Sequence, residues 1–325
     1  MARLLEVRNL TVAVKRQERL LKPVDGVGFS INEGEILGLA GESGCGKTMT
    51  ALSIPNLLPR GVKIHSGDII YKTQSLTSLC EKEMRSVRGK EISVIFQEAR
   101  QSLNPLLRVG GQITETLELA GNGNKEANKT NALEMLASLG FEEPEKIYDS
   151  YPHQLSGGMC QRVMTAIAAV SRPRLLLADE PSSSLDAESQ EKILALLVKM
   201  NRDFNTSILI ISHDLSIIRK FCGRFLVMYA GKIVEEGPAA ALFSPLHPYT
   251  HALVGAIPGK DKRGQNLENI PGKVPSIEDR LSGCPFAPRC KKAQNVCLET
   301  FPSAEETEDG RRVHCHFPVT GDADA

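Results

Sequence analysis

A glycine-rich segment in the first fifty residues reads Gly41-Glu42-Ser43-Gly44-Cys45-Gly46-Lys47-Thr48. It matches the pattern G-x-x-x-x-G-K-[ST] at every fixed position. A short apolar run, Glu35 to Ala40, precedes it and predicts a buried strand. A helix is predicted from Lys47 to Leu58, where Pro59 would end it. Strand, glycine-rich turn and helix in this order are the context that a phosphate-binding loop requires.

The chemistry of this loop depends mainly on its backbone. Glycines let the chain wrap closely around a phosphate with its N–H groups pointing inward. The start of the following helix adds a partial positive charge. Lys47 would reach the β- and γ-phosphates of a nucleotide, and the Thr48 hydroxyl would ligate Mg²⁺. All eight loop residues are therefore candidate nucleotide ligands, although the Cys45 side chain has no assigned chemical role.

The segments on either side of the loop predict an α/β fold. Strands are expected at Ile92–Phe96, Leu175–Ala178 and Ser207–Ile211, helices at Glu188–Phe204 and Leu215–Phe221, and a hairpin of Phe225–Tyr229 with Lys232–Glu236 over Ala230-Gly231. This alternation implies a mostly parallel sheet covered by helices. Leu4 to Val14 is expected to form an edge strand that opens a hairpin.

Two regions depart from this alternation. Residues from about 100 to 171 have helical periodicity, clearest at Ile113–Leu119 and Ala132–Leu139, and predict an inserted helical subdomain. From Pro258 onward, proline, glycine and charged residues dominate and the periodicity fades. We therefore predict one domain over residues 1–257 and a small extension over residues 258–325.

Two carboxylates follow a strand far downstream of the loop. Asp179 and Glu180 end the apolar run Leu175 to Ala178. Ligands of open α/β sheets bind at the carboxyl ends of the strands, so these side chains are expected beside the phosphate loop. Asp179 suits Mg²⁺, directly or through water, and Glu180 suits polarisation of an attacking water. A strand that ends in Asp-Glu is common by itself. Downstream of a phosphate loop in the same chain, it predicts nucleotide hydrolysis.

A further motif reads Leu155-Ser156-Gly157-Gly158-Met159-Cys160-Gln161-Arg162. Ser156, Gly157 and Gly158 would open a helix running to about Val170, with free N–H donors directed at an anion. The motif resembles the L-S-G-G-x-x-Q-R signature of ABC transporter nucleotide-binding subunits. The resemblance implies a P-loop NTPase fold of the ABC type, in which this helix start holds the γ-phosphate of ATP bound to the opposite subunit.

Three further elements match that family in order. Gln97 lies where the family's Q-loop glutamine senses Mg²⁺, Ser184-Leu185-Asp186 resembles the D-loop, and His213 resembles the switch histidine at the γ-phosphate. The resemblance implies four catalytic residues: Lys47, Gln97, Glu180 and His213. It also implies that Asp186 belongs to the nucleotide site. One feature departs from the family: Val12 to Arg16 lacks the usual adenine-stacking aromatic, so Arg16 is the candidate to lie over the ring.

Three more stretches resemble the oligopeptide/dipeptide/nickel importer subfamily of ABC transporters. They are Phe96-Gln97-Glu98-Ala99-Arg100-Gln101-Ser102-Leu103-Asn104-Pro105, Tyr151-Pro152-His153-Gln154 and Ser244-Pro245-Leu246-His247-Pro248-Tyr249-Thr250. The first departs from the subfamily's F-Q-D-P at Glu98-Ala99. The resemblance implies an ATPase subunit of an importer, with di- or oligopeptide, nickel and other small solutes all open as cargo.

Four cysteines crowd the C-terminal extension at Cys284, Cys290, Cys297 and Cys315, with 5, 6 and 17 residues between them. In a reducing compartment such thiols favour a metal site over disulfides. Structural zinc sites use closer C-x(2–4)-C pairs, so the open spacing favours an iron–sulfur cluster, with zinc or no metal as alternatives. The subfamily resemblance implies [4Fe–4S] here. His314 and His316 are spare candidate ligands, with loop residues as the alternative.

Composition and the resemblance together set expectations for partners and location. Lys plus Arg and Asp plus Glu number 39 each, which argues against nucleic acid as a partner. Neither a signal peptide nor an apolar run of membrane length is evident. The resemblance implies a peripheral protein on the cytoplasmic face of the inner or plasma membrane. Its expected partners are a second ATPase subunit (copy or paralogue), two permease subunits and, indirectly, an extracytoplasmic solute-binding protein.

Two other classes remain as alternatives to an importer subunit. One is an ABC ATPase that acts on nucleic acid or ribosomes without transport; its members commonly carry two cassettes or long insertions, whereas this chain has one cassette. The other is a regulator that binds ATP without turnover, against which the presence of Glu180 and His213 argues.

Overall fold

The computed structural model describes residues 2–121, 123–182, 185–257, 270–280 and 282–319. The chain divides into two compact units. The first comprises Met1–Leu4, Ile31–Ile36 and Ser78–Ile211, and the second comprises Leu5–Ser30, Leu37–Thr77 and Ser212–Ala325. The boundary predicted between residues 257 and 258 falls inside the second unit and remains a prediction.

The strands are β1 (Arg3–Arg16), β2 (Arg19–Asn32), β3 (Ile36–Ala40), β4 (Val62–Tyr71), β5 (Gln74–Ser75), β6 (Ile92–Ile95), β7 (Leu175–Asp179), β8 (Ser207–Ile211), β9 (Arg224–Tyr229), β10 (Lys232–Pro238), β11 (Glu305–Glu306) and β12 (Arg312–Val313). The α-helices are α1 (Lys47–Ser53), α2 (Glu81–Val87), α3 (Ala99–Ser102), α4 (Val109–Leu119), α5 (Lys125–Ser138), α6 (Pro144–Asp149), α7 (Gly157–Ala169), α8 (Ala187–Phe204), α9 (Leu215–Phe221), α10 (Pro248–Gly255) and α11 (Asn295–Glu299). Among the helices of these described residues, none has both the length and the apolar composition of a membrane span.

The first unit is built on three parallel strands, with β7 between β6 and β8. Every residue of β7 and β8 is buried, as expected of parallel strands covered on both faces. Helix α8 buries one face, formed by Ile193, Leu194, Leu197 and Met200, which is the spacing of an amphipathic helix. These strands confirm the predictions at Ile92, Leu175 and Ser207.

Between β6 and β7, the described residues carry helices and no strand. Helices α4, α5 and α6 pack on one another, and α4 and α5 also pack on α7. The predicted helical segments at Ile113–Leu119 and Ala132–Leu139 lie in α4 and α5. The helical character of this region is therefore confirmed.

The second unit combines parallel and antiparallel pairing. Strand β9 is parallel to β3 and antiparallel to β10, and β10 continues antiparallel to β12. The hairpin turn between β9 and β10 places Ala230 at φ 43° and Gly231 at φ 88°, the left-handed pair that a tight hairpin requires. The predicted hairpin is confirmed, but the expectation of a mostly parallel sheet holds only in part.

A separate antiparallel sheet has the strand order β2-β1-β4-β5. The hairpin of β1 with β2 is as predicted, but the interpretation of β1 as an edge strand is wrong, since β4 pairs along its other side from Leu5 to Val14. Strand β4 was not predicted. Its middle reads Lys63 to Asp68 with one apolar residue, Ile64, and most of that stretch is exposed, so it lacks an apolar signal.

Helix α1 is shorter than predicted. It ends at Ser53 rather than Leu58, because Pro55 follows closely. Pro55 has no N–H to donate to the helix, so the ladder of helical hydrogen bonds stops there, although Ile54 before it still has helical dihedral angles (φ −61°, ψ −55°). Pro55, and not the predicted Pro59, therefore limits the helix.

We expect Leu177→Ala to destabilise the chain by about 2–5 kcal/mol, because this fully buried side chain of β7 would leave a cavity between covered strands. Urea unfolding followed by circular dichroism measures the change. Leu106→Ala is the matched control: its side chain is 83% exposed, so its effect should stay within about 0.5 kcal/mol. Equal effects of the two substitutions would contradict the burial of β7.

Candidate functional site

The phosphate loop, residues 41–48, has three glycines in the positive-φ region. Gly41, Gly44 and Gly46 have φ values of 150°, 77° and 112°. A Cβ at Gly41 would lie 2.2 Å from the Met228 carbonyl oxygen, and one at Gly46 would lie 2.8 Å from that of Pro23. Two of the motif glycines are thus required by space as well as by backbone conformation.

The Lys47 side chain bonds back to the start of the loop. Its Nζ donates to the carbonyl oxygens of Gly41 at 2.8 Å and Glu42 at 2.9 Å, and the residue is buried. Gly46 is the N-cap of α1, and Lys47 is its first residue. Thr48 follows in the first turn and is partly exposed. The ammonium group therefore lies within the curve of the backbone.

Cys45 is fully buried, and burial raises the pKa of its thiol. Its carbonyl oxygen accepts from the Gly231 N–H at 2.7 Å, which ties the loop to the β9–β10 turn. Ser43 and Gly44 are exposed at the tip of the loop. The cysteine side chain packs inward while its backbone takes part in the loop.

In the first unit, Asp179 and Glu180 occupy the end of β7. Asp179 is buried, and the Glu180 N–H donates to the Ile211 carbonyl oxygen at 3.0 Å. Glu180 has φ 46°, an uncommon conformation for a residue with a Cβ. Such backbone strain persists where surrounding structure enforces it and is concentrated at functional sites.

Gln97 contacts the same glutamate. Its Nε2 lies 3.4 Å from Glu180 Oε2, although 83 residues separate the two in sequence. Parallel pairing of β6 with β7 explains this, since it aligns the ends of the two strands. The structure thus brings together two predicted site residues that belong to separate motifs.

Two predicted site residues cap helices of the first unit. Ser156 caps α7, with its Oγ accepting from the Met159 N–H at 3.3 Å, which confirms the helix start. Gly157 has open space around it, and a Cβ at Gly158 would lie 3.0 Å from the Leu185 side chain. Asp186 caps α8 through the Ser189 N–H at 2.9 Å, and that hydrogen bond lowers its pKa.

The remaining predicted residues are distributed as follows. Ser184 of the D-loop match lies outside the described residues. His213 comes just after β8, belongs to the second unit and is exposed. The second unit also holds the phosphate loop, whereas the first holds Gln97, Ser156, Asp179, Glu180 and Asp186. Arg16, the candidate for the adenine, pairs with Glu278 at 3.2 Å.

The four late cysteines line one cavity, which Phe286 and His247 also line. Burial raises the pKa of Cys284 to about 11 and that of Cys315 to about 12. Among the described residues, no three His, Cys, Asp or Glu side chains are arranged to hold a metal ion. The four cysteines that the sequence groups together thus line one cavity, but the described side chains are not arranged to hold zinc or any other metal ion, so the metal site remains a prediction.

His247 is the buried histidine of this cavity lining. Its Nδ1 accepts from the Tyr249 N–H at 3.0 Å, and burial lowers its pKa to about 3, so the ring is neutral with its proton on Nε2. Among described residues this Nε2 has no hydrogen-bond partner. The segment is anchored by Glu235, whose carboxylate accepts from the N–H groups of Leu246 and His247, both at 2.9 Å.

The two spare histidines bond to backbone carbonyl oxygens. His314 Nδ1 lies 3.0 Å from the Pro302 oxygen, and His316 Nε2 lies 3.0 Å from the Thr300 oxygen. A ring nitrogen at that distance from a carbonyl oxygen carries the proton and has no lone pair for a metal. These two nitrogens are therefore not ligands, and both residues are only partly exposed.

Comparison with known proteins agrees with this arrangement of motifs. The family model "ABC transporter" matches residues 24–183, and the model "Oligopeptide/dipeptide transporter, C-terminal region" matches residues 234–297. The first span includes the phosphate loop, Gln97, Ser156 and Glu180. The second includes the His247 segment and three of the four cysteines.

Similar proteins cover nearly the whole chain. The oligopeptide transport ATP-binding protein AppD of Bacillus subtilis (strain 168) is 45% identical over 317 residues, 97% of either chain. The dipeptide transport ATP-binding protein DppD of Escherichia coli (strain K12) is 39% identical over 317 residues, also 97% of either chain. The dimeric post-hydrolysis structure of the ATP-binding cassette MJ0796 bound to ADP and Pi is 29% identical, with a TM-score of 0.67, and covers 73% of this chain and 99% of that one.

The fold is thus that of a P-loop NTPase with the sequence motifs of an ATPase. The chain belongs to the ABC transporter family, as an ATP-hydrolysing subunit with the C-terminal region of its oligopeptide/dipeptide branch.

We expect Gly46→Ala to weaken ATP binding by at least about tenfold. A Cβ at φ 112° costs about 1–2 kcal/mol, and here it would also collide with the Pro23 oxygen. Titration with a fluorescent ATP analogue measures the dissociation constant. Gly61→Ala is the control: Gly61 has φ 84° and open space, so it shares the backbone strain without the collision. A loss of similar size in both variants would refute the spatial argument.

Proposed function

We propose that this chain energises the import of di- or oligopeptides by a multi-subunit ABC transporter. The observation that carries the proposal is that a phosphate loop and a C-terminal region matching that of oligopeptide/dipeptide transporters occur in one chain. Relatives named for oligopeptide and dipeptide transport match 97% of its length. Nickel and other small solutes are the alternative cargo, because the ATPase motifs are shared within the subfamily.

The proposed roles at the nucleotide follow from the motifs and their local geometry. Lys47 and the loop N–H groups hold the β- and γ-phosphates, and Glu180 orients and polarises the attacking water. Gln97 keeps the Glu180 carboxylate in place through their contact. Thr48, Asp179 and Gln97 would hold Mg²⁺, which supplies charge neutralisation. His213 contacts the γ-phosphate.

The proposed assembly contains two ATPase subunits, a copy or a paralogue of this chain being the partner. In each site, the Ser156–Gly158 helix start of one subunit holds the γ-phosphate bound to the other, with Asp186 beside it. The helices between β6 and β7 form the inserted helical subdomain that faces two permease subunits. An extracytoplasmic binding protein delivers the solute, and the chain works at the cytoplasmic face of the membrane without binding nucleic acid.

We also propose that the cysteine cavity holds a [4Fe–4S] cluster. Four thiols line it, and iron–sulfur clusters are held by four cysteine thiolates. The buried Nε2–H of His247 fits the same occupant, because cluster sulfur accepts hydrogen bonds and this donor has no partner in the described part of the chain. The cluster would supply folding energy to a segment with few apolar residues.

In membrane vesicles that contain the whole transporter, Glu180→Gln should lower ATP turnover and dipeptide uptake by at least about a hundredfold, since removal of a general base costs about 10²–10⁴ in rate. Binding of ATP should persist in this variant and be lost in Lys47→Ala. Labelled dipeptide and nickel uptake by the wild-type vesicles identify the cargo. Full ATP turnover by Glu180→Gln would exclude the assigned base, and uptake of neither solute class would exclude the proposed import.

Protein purified without oxygen should be brown and absorb near ~400 nm if the cluster is present. Cys297→Ser should abolish this absorbance, because it removes one of the four thiolates. Cys222→Ser is the control, since Cys222 is also buried but lies outside the cavity lining. Colourless wild-type protein with one zinc per chain by elemental analysis would establish the zinc alternative instead.

A further inference from the structure

Glu42 occupies a variable position of the phosphate loop, yet three of its groups are held. Its N–H donates to the Tyr249 hydroxyl at 2.8 Å, and its carbonyl oxygen accepts from Lys47 at 2.9 Å. Its carboxylate binds Arg289 through two hydrogen bonds, Nη1 to Oε2 at 2.8 Å and Nη2 to Oε1 at 3.2 Å. The motif itself requires only the backbone at this position.

The Arg289 side chain is nearly buried and has several hydrogen-bond partners. Its side chain is 6% exposed, and its guanidinium also donates to the Tyr229 hydroxyl and to the carbonyl oxygens of Ile270 and Pro271. A paired, nearly buried fork of this kind gives much stronger and more directional bonding than an exposed ion pair. Arg289 therefore holds the Glu42 carboxylate in one place.

A cluster of three aromatic rings packs beside the two contacts that Tyr249 and Arg289 make with Glu42. Phe286 packs against Tyr229 and Tyr249 with ring centroids 5.3 Å apart in each case, and the two tyrosines pack at 4.5 Å. Tyr249 is fully buried, so its hydroxyl has little freedom to leave the Glu42 N–H. Tyr249 of α10 and Arg289 of the C-terminal extension thus fix, respectively, the backbone and the side chain of Glu42.

Electrostatics give this contact a consequence for the nucleotide. A carboxylate in a loop that receives a phosphate chain would repel it, and partial burial would strengthen that repulsion. Arg289 neutralises this charge and fixes the carboxylate through two hydrogen bonds. We propose that Arg289 is a positioning residue for ATP binding, acting through Glu42 on the phosphate loop. The inference rests on the proposed role of that loop.

Measurement of ATP affinity in the full chain tests the proposal. Arg289→Ala should raise the dissociation constant and the KM for ATP by about tenfold, the loss expected when a buried charge loses its partner, with a smaller change in kcat. Arg289→Lys should recover only part of the affinity, because a single ammonium group lacks the two-pronged geometry. Arg312→Ala is the matched control: Arg312 pairs with Glu236 at 2.7 Å and should leave ATP affinity unchanged.

Combination with Glu42→Gln separates positioning from a general loss of structure. Once the carboxylate is neutral, removal of Arg289 leaves no uncompensated charge, so Glu42→Gln should restore most of the affinity that Arg289→Ala loses. Additive losses in the double variant, or equal losses in Arg289→Ala and Arg312→Ala, would overturn the proposal. If Lys47→Ala also bound ATP normally, the loop assignment itself would fail, which distinguishes the two conclusions.

Discussion

The phosphate loop has no room for a side chain at Gly41 or Gly46, and this constraint governs what surrounds it. Carbonyl oxygens of Met228 and Pro23 approach so closely that a Cβ at either glycine would collide with main chain. Main-chain atoms cannot move aside as a flexible side chain can. The course of the loop backbone is therefore constrained by the packing of the neighbouring main chain.

The same principle of enforced geometry applies at the end of β7. Glu180 holds a left-handed backbone conformation that carries a cost for a residue with a Cβ. Its N–H bond to Ile211 and its side-chain contact with Gln97 provide the compensation. In a strand that continued straight, this side chain would point to one face of the sheet. With the left-handed conformation at Glu180, its carboxylate lies 3.4 Å from Gln97 Nε2 at the end of the neighbouring strand.

Much of this architecture was predictable from local pattern. The buried strands β7 and β8 carry continuous apolar runs, and the β9–β10 hairpin has a glycine at its turn, so their signals lie within a few residues. Strand β4 escaped prediction because its pairing with β1 is long-range and its exposed middle lacks apolar alternation. The interior position of β1 followed from that same unpredicted partner.

The contact of Arg289 with Glu42 could not be predicted from the sequence either, because it is also long-range. The residues are 247 positions apart, and each belongs to a motif whose usual interpretation ignores it: one is a variable loop position, the other an arginine before a cysteine. Arg289 and Cys290 are consecutive, so whatever fixes the backbone of the cysteine segment also fixes the position of the arginine. A segment of low apolar content thus gains its fixed position from the aromatic cluster around Phe286. Through Arg289, it stabilises the loop that receives phosphate.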